Sequence, residues 1–203
     1  MHEEQLGPYT LRWPEGVFPL GGDALELAGF TTLHPRQQVC DLGTGSGALL
    51  LLLARREPSL SLTGVELDPL SARTARDNLD RNNLRGRIIA GDLRTVSLPA
   101  GSFDLVVSNP PYFPVGSGPS GGPARSEETC SLPELCSAAA RLVRNGGRFA
   151  LCHRPERLTD VLLCLRASGL EPKRLRFLPA GRPPALLLAE AVRQGRPGLT
   201  VEV

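Results

Sequence analysis

From Val39 onward the chain alternates short apolar runs with stretches of helical periodicity, and that rhythm admits few folds. It reads as βαβ units stacking helices on a parallel sheet. Seven strands are predicted: Val39–Leu42, Leu60–Val65, Arg87–Ala90, Leu105–Ser108, Arg148–Cys152, Leu175–Leu178 and Leu186–Ala191. Between them, Asp68 and Pro69 form an N-cap and first-turn pair, followed by an apolar stripe of Leu70, Ala72, Ala75 and Leu79. Pro155 opens another helix, with Leu158, Val161, Leu162 and Leu165 inward and Gly169 as its stop. The Ala48–Ala54 helix is apolar nearly all round, so it belongs between layers. The link from Pro179 to Pro184 is too short for a crossover helix, so the last two strands should pair antiparallel. The expectation is an α/β fold of five βα steps: a seven-stranded, mostly parallel sheet, an antiparallel C-terminal hairpin and helices on both faces. Residues 1–37 read as an irregular or hairpin extension, with a short helix at Asp23–Phe30, packed on a domain of residues 38–203. Residues 116–126, rich in Gly, Pro and Ser, read as a mobile loop.

A chain of 203 residues suits one such domain. Its N-terminus opens with acidic residues and has no secretory pattern, and no apolar run nears the ~20 residues of a membrane span. A soluble, cytoplasmic protein without membrane contact is expected. The five cysteines show no metal-ligand or CxxC spacing and read as reduced structural thiols, with Cys40, Cys152 and Cys164 in apolar segments; no metal is expected. Net charge is only +2, but basic residues concentrate between Arg141 and Arg176. Arg141, Arg144, Arg154, Arg157, Lys173, Arg174 and Arg182 are, as a group, candidates to meet a phosphate backbone.

After the first predicted strand comes Asp41-Leu-Gly-Thr-Gly-Ser-Gly47, where Gly43, Gly45 and Gly47, with Thr44 between, let the backbone turn tightly against a ligand. The pattern also satisfies a dinucleotide fingerprint, so charge must separate the readings. A carboxylate at Asp41 sits badly beside a pyrophosphate but suits a ligand carrying an ammonium and a sulfonium. S-adenosylmethionine carries both. Glu66, ending the second strand, is placed to accept from ribose hydroxyls, with Leu67 against the adenine; Asp92, with Leu93 beside it, is placed to accept from the adenine amine.

The fourth strand ends in Asn109-Pro110-Pro111-Tyr112. An aryl amine is a poor nucleophile because its lone pair is delocalised, so a site that methylates it must accept both N–H hydrogens. The Asn109 side-chain oxygen and the Pro110 carbonyl are the candidate acceptors, the two prolines stiffen the turn, and Tyr112 offers a stacking ring. His34 and His153 are read as structural.

Together these motifs resemble the class I methyltransferases with a Rossmann-like fold, of the amino-methylating type. The chain is most similar to the bacterial tRNA(Val) adenine-N6 methyltransferases and their small-domain relatives. The likeness extends to Asp23-Ala-Leu-Glu-Leu-Ala-Gly-Phe30, Phe113, Ala124-Arg125 with Glu127, His153-Arg-Pro-Glu-Arg-Leu158 and Glu171-Pro-Lys-Arg-Leu175. The resemblance implies a tRNA partner whose flipped adenine enters a pocket made by Tyr112 and residues 113–131. It assigns Asn109, Pro110, Pro111 and Tyr112 to catalysis and Asp41, Gly43, Gly45, Glu66 and Asp92 to the cofactor. Glutamine N5-methylation in a release factor uses the same tetrapeptide and stays open, as do rRNA or DNA amine methylation and an inactive cofactor-binding scaffold. A nicotinamide dehydrogenase is disfavoured by Asp41.

Overall fold

Successive residues of the central strands face two separate apolar layers, and that alternation organises the molecule. In the computed structural model, which describes residues 1–110, 130–178 and 186–202, Val39, Leu105, Val107, Ala150, Cys152 and Leu188 join one layer. Their neighbours Cys40, Val106, Phe149, Leu151 and Leu187 join the other. Helices α1 (Gly22–Phe30), α2 (Ala48–Arg56) and α3 (Pro69–Arg81) cover the first face, and α4 (Leu132–Leu142) and α5 (Leu158–Ala167) the second. Seven successive residues of α2, Ala48 to Ala54, are buried, because the helix lies between the sheet and other elements.

The sheet comprises β3 (Gln38–Leu42), β4 (Ser61–Glu66), β5 (Gly86–Ala90), β6 (Phe103–Ser108), β7 (Val143–His153), β8 (Leu170–Leu178), β9 (Leu186–Arg193) and β10 (Thr200–Glu202). They stand in the order β10-β8-β9-β7-β6-β3-β4-β5. Strands β7, β6, β3, β4 and β5 are mutually parallel, whereas β9 runs antiparallel to both neighbours. All seven expected strands form. Among the described residues the sheet nonetheless has eight strands and not the expected seven, because β10 adds itself parallel to β8. Three residues are too few to show a period; what holds them is Glu202, which accepts from Arg174 Nε and Arg176 Nη2, each at 2.6 Å.

Two further corrections concern helices. The step from β5 to β6 contains turns and no helix, so four of the five βα steps carry one. Helix α4, absent from the sequence reading, starts at a box in which Glu134 Oε2 accepts from the Ser131 N–H at 2.8 Å and its hydroxyl at 2.7 Å. Its three successive alanines, Ala138 to Ala140, blur the apolar contrast that would reveal it. Pro155 begins a single 3₁₀ turn ahead of α5, and Gly169 takes φ +71° just after it.

The first residues form an antiparallel hairpin of β1 (His2–Leu6) and β2 (Tyr9–Trp13). It is docked by two asparagines one turn apart, Asn78 on α3 and Asn82 at its C-cap. Asn82 accepts from the Thr10 N–H at 2.8 Å and donates to its carbonyl at 2.9 Å; Asn78 does the same for Arg12 at 3.0 and 2.8 Å. Their side-chain amides thus act as a surrogate neighbouring strand for alternate residues of β2. Cys40, Cys136 and Cys152 are buried, but Cys164, expected in the core, is half-buried on α5. Among the described residues no helix is long and apolar enough to cross a membrane. The expectations for residues 113–129, including the loop 116–126, and for the Pro179–Pro184 link lie outside the described residues.

Candidate functional site

The parallel strands β3, β4, β5 and β6 all deliver their C-terminal ends to one edge of the sheet, where strand order reverses on either side of β3. In open α/β sheets that edge is where ligands bind. After β3 the chain turns through Gly43, Gly45 and Gly47, each at positive φ, +77°, +55° and +82°. A Cβ on Gly43 or Gly45 would meet nothing within 4 Å, so the first two glycines border open space; one on Gly47 would come within 3.2 Å of Ala75, where the loop packs on α3. Both halves of the loop are anchored. The Gly43 and Thr44 N–H groups donate to the Val65 carbonyl at 2.9 and 3.1 Å, Gly45 N–H donates to Glu66 Oε2 at 2.8 Å, and Asn78 Nδ2 donates to the Ser46 carbonyl at 2.9 Å.

Asp41 is 1% exposed. Its Oδ2 accepts from the Thr44 hydroxyl at 2.7 Å, while its buried Oδ1 has no hydrogen-bond partner among the described residues. Burial pushes its pKa up to about 7, opposed by the Thr44 hydrogen bond and reinforced by the charge of Glu66. The sequence alone suggests an ordinary carboxylate at Asp41; its burial in the structure brings it to the balance point between its protonated and ionised forms near neutral pH. Glu66 is engaged as well, since Oε1 accepts from the Asp68 N–H at 2.9 Å. A carboxylate oxygen accepts two hydrogen bonds, so each retains one position for a hydroxyl. An orphaned buried acceptor and open space over two glycines beside a second carboxylate fit a nucleoside bearing a cationic amino-acid tail.

Asp92, after β5, carries a partner the sequence reading did not foresee. Arg94 Nε donates to both its oxygens at 2.9 Å and holds its carboxyl below the usual range. The same guanidinium reaches Glu134 Oε1 at 3.2 Å, tying this loop to the start of α4. Leu67 is 49% exposed and Leu93 is half-buried against the second layer.

Strand β6 is locked to β3 at the same edge by the Ser108 hydroxyl, which donates to the Leu42 carbonyl at 2.7 Å. Asn109 and Pro110 follow, both half-buried, one strand away from the glycine loop. Pro111 and Tyr112 lie outside the described residues. The Asn109 Oδ1 accepts from the Cys152 thiol at 3.0 Å. That contact was hidden in the sequence, although the β6–β7 register could have suggested it. His153 is 1% exposed, with Nδ1 accepting from the Arg154 N–H at 2.9 Å; burial, helped by the charge of Arg157, lowers its pKa to about 4 and keeps it neutral.

Of the basic group read from the sequence, every described member is engaged within the chain. Arg141 donates to the carbonyls of Leu93, Val96 and Leu98, which makes it a clamp on the β5–β6 connection. Arg144 pairs with Asp104, Arg154 with Glu156, Arg157 with Asp160, and Arg174 with Glu202; Lys173 donates to the Gly198 carbonyl. Arg182 lies outside the described residues.

Comparison with known proteins places this arrangement. The family model "Methyltransferase small domain" matches residues 22–157. A tRNA1(Val) (adenine(37)-N6)-methyltransferase of Porphyromonas gingivalis strain W83 is 37% identical over 163 residues, which is 74% of this chain and 64% of that relative. The protein of the same name from Aeromonas hydrophila is 33% identical over 73% of this chain and 64% of its own length. The chain therefore spans a little under two thirds of these curated relatives. Among solved structures, a methyltransferase from Pyrococcus furiosus superposes with a TM-score of 0.70 at 20% identity, covering 91% of this chain and 89% of its own. A predicted O-methyltransferase from Agrobacterium tumefaciens gives 0.69 at 23%, covering 88% and 84%. At those identities the superpositions show the fold, which is that of the methyltransferases; the family match goes further, and the chain belongs to the methyltransferase small-domain family.

Proposed function

We propose that this protein transfers a methyl group from S-adenosylmethionine to the exocyclic N6 amine of an adenine in tRNA. The observation that carries the reading is the placement of Asn109 and Pro110 at the sheet edge beside the glycine loop, with Ser108 bolting β6 to the end of β3. Asp41, Gly43, Thr44, Gly45, Gly47 and Glu66 would hold the cofactor, with Leu67, Asp92 and Leu93 at its adenine end. S-adenosylmethionine, when bound, supplies a methyl carbon made electrophilic by its sulfonium. The protein's own part is positional. The Asn109 oxygen and the Pro110 carbonyl accept the two amine hydrogens, which turns the nitrogen lone pair out of conjugation. Pro110, with φ fixed by its own ring and ψ restricted by the proline that follows it, would hold its carbonyl at little ordering cost, and Pro111 and Tyr112 would extend the turn and stack the base. The relatives' shared name supports the choice of tRNA adenine.

The test is Asn109→Ala. Methyl transfer should fall by roughly 100-fold or more while cofactor binding, followed calorimetrically, stays near wild type. Unchanged turnover would remove Asn109 from the chemistry. Nucleosides from a deletion strain should lack N6-methyladenosine in tRNA; an unaltered profile with a lost methylglutamine would choose the protein substrate instead.

A further inference from the structure

The β6–β7 register pairs Ser108 with Leu151. One step further along the same two strands, residues 109 and 152 come level on the same face as Val107 and Ala150, the face of the first apolar layer. Cys152 is fully buried there, and its Sγ lies 3.0 Å from Asn109 Oδ1. We infer that Cys152 is a positioning residue that fixes which end of the Asn109 carboxamide meets the substrate amine, an inference that rests on the methyl-transfer reading above.

The reason is the near-symmetry of a carboxamide. Its oxygen and its NH2 group have almost the same shape, yet only the oxygen accepts a hydrogen, and a flipped Asn109 would point donors at a donor. A thiol opposes the flip. In the observed orientation S–H donates to Oδ1; in the flipped one an N–H would have to use sulfur, a weak acceptor. The thiol is a weak donor and occupies one of the two lone pairs of Oδ1, so it orients the oxygen without competing strongly for it.

Cys152→Val keeps the volume of the buried side chain and removes the donor; Cys152→Ser keeps a donor. Steady-state methylation should show kcat about tenfold lower in Cys152→Val, with cofactor KM and melting temperature near wild type, and recovery to within about threefold in Cys152→Ser. Full kcat in Cys152→Val, or a loss that Cys152→Ser does not recover, overturns the inference. A spectroscopic arm separates it from the functional reading. The infrared S–H band assigned by its disappearance in Cys152→Val should shift to higher frequency in Asn109→Ala, whatever the substrate. An unmoved band overturns the contact itself. A shifted band in an enzyme inert toward adenine in tRNA sinks the substrate reading and leaves the Cys152–Asn109 coupling standing.

Discussion

Asp41 and Glu190 lie equally deep in the molecule, at 1% and 0% exposure, and the two regions treat them in opposite ways. At the β7–β9–β8 side of the sheet, Glu190 accepts from Arg148 Nη1 at 2.9 Å, Arg174 Nη1 at 3.2 Å, and the Thr32 N–H and hydroxyl at 2.9 Å each. Both its oxygens are satisfied and its charge is matched. At the glycine loop, Asp41 has one hydroxyl donor, and its other oxygen has no partner among the described residues. A buried acceptor left unpaired costs on the order of 1–3 kcal/mol, so such an atom marks a place where a further donor is to be sought. The contrast separates a carboxylate that closes the fold from one that, on the reading proposed above, completes its bonding with the cofactor.

The largest effect should come from breaking the closed side. Glu190→Ala strands Arg148, takes one of two carboxylate partners from Arg174, which keeps Glu202, and unlinks Thr32 from β9. A loss of about 3 kcal/mol is expected, lowering the melting temperature by roughly 6–12 °C, with no change in cofactor affinity. An affinity change as large as the stability change would abolish the distinction.

Next comes the support beneath the open side. Asn78→Ala removes hydrogen bonds to the Arg12 N–H, the Arg12 carbonyl and the Ser46 carbonyl. About 2 kcal/mol should be lost, and hydrogen exchange should quicken at Arg12 and along the glycine loop together. Exchange that quickens in the hairpin alone would show that the loop keeps its shape without Asn78.

These two sites also mark where sequence reasoning ends. The seven strands, α2, α3 and the glycine loop were legible because their signals are local: an apolar period, a cap, a run of glycines forced to positive φ. Asp41, Glu66 and Asn109 were legible because each sits at a strand end whose position the period predicts. Arg94, Cys152 and the asparagine pair in the last turn and C-cap of α3 were not. Cys152 meets Asn109 only once β6 and β7 are in register, Asn78 and Asn82 read as ordinary polar positions until a hairpin from far upstream lies beside them, and Arg94 fills Asp92 from two residues away through a turn that no pattern encodes.

A smaller change is expected from Asp41→Asn. The amide keeps an acceptor for the Thr44 hydroxyl and removes a buried ionisable group, so the ligand-free protein should melt within about 1 kcal/mol of wild type. Cofactor affinity should drop about tenfold, because the negative partner for a cationic ligand is gone. Stability lost without affinity lost would make Asp41 a second Glu190.

The finest test is the pH dependence. Burial first, with the charge of Glu66 added and the Thr44 hydrogen bond opposing, lifts Asp41 from 3.8 to about 7. Between those values the folded state binds a proton that the unfolded chain has already released. The contribution to stability is therefore greatest below pH ~4, falls by at most about 1.4 kcal/mol per unit as pH rises toward 7, and is level above it. Asp41→Asn should erase that slope. Cofactor affinity should run the other way, climbing toward pH 7 as the ionised form that a cationic ligand favours becomes available. Binding at pH 6 should release a proton, seen as a calorimetric heat that varies with the buffer's ionisation enthalpy. A heat independent of buffer, in a protein that does bind the cofactor, would mean that the unpaired oxygen never meets the ligand's charge.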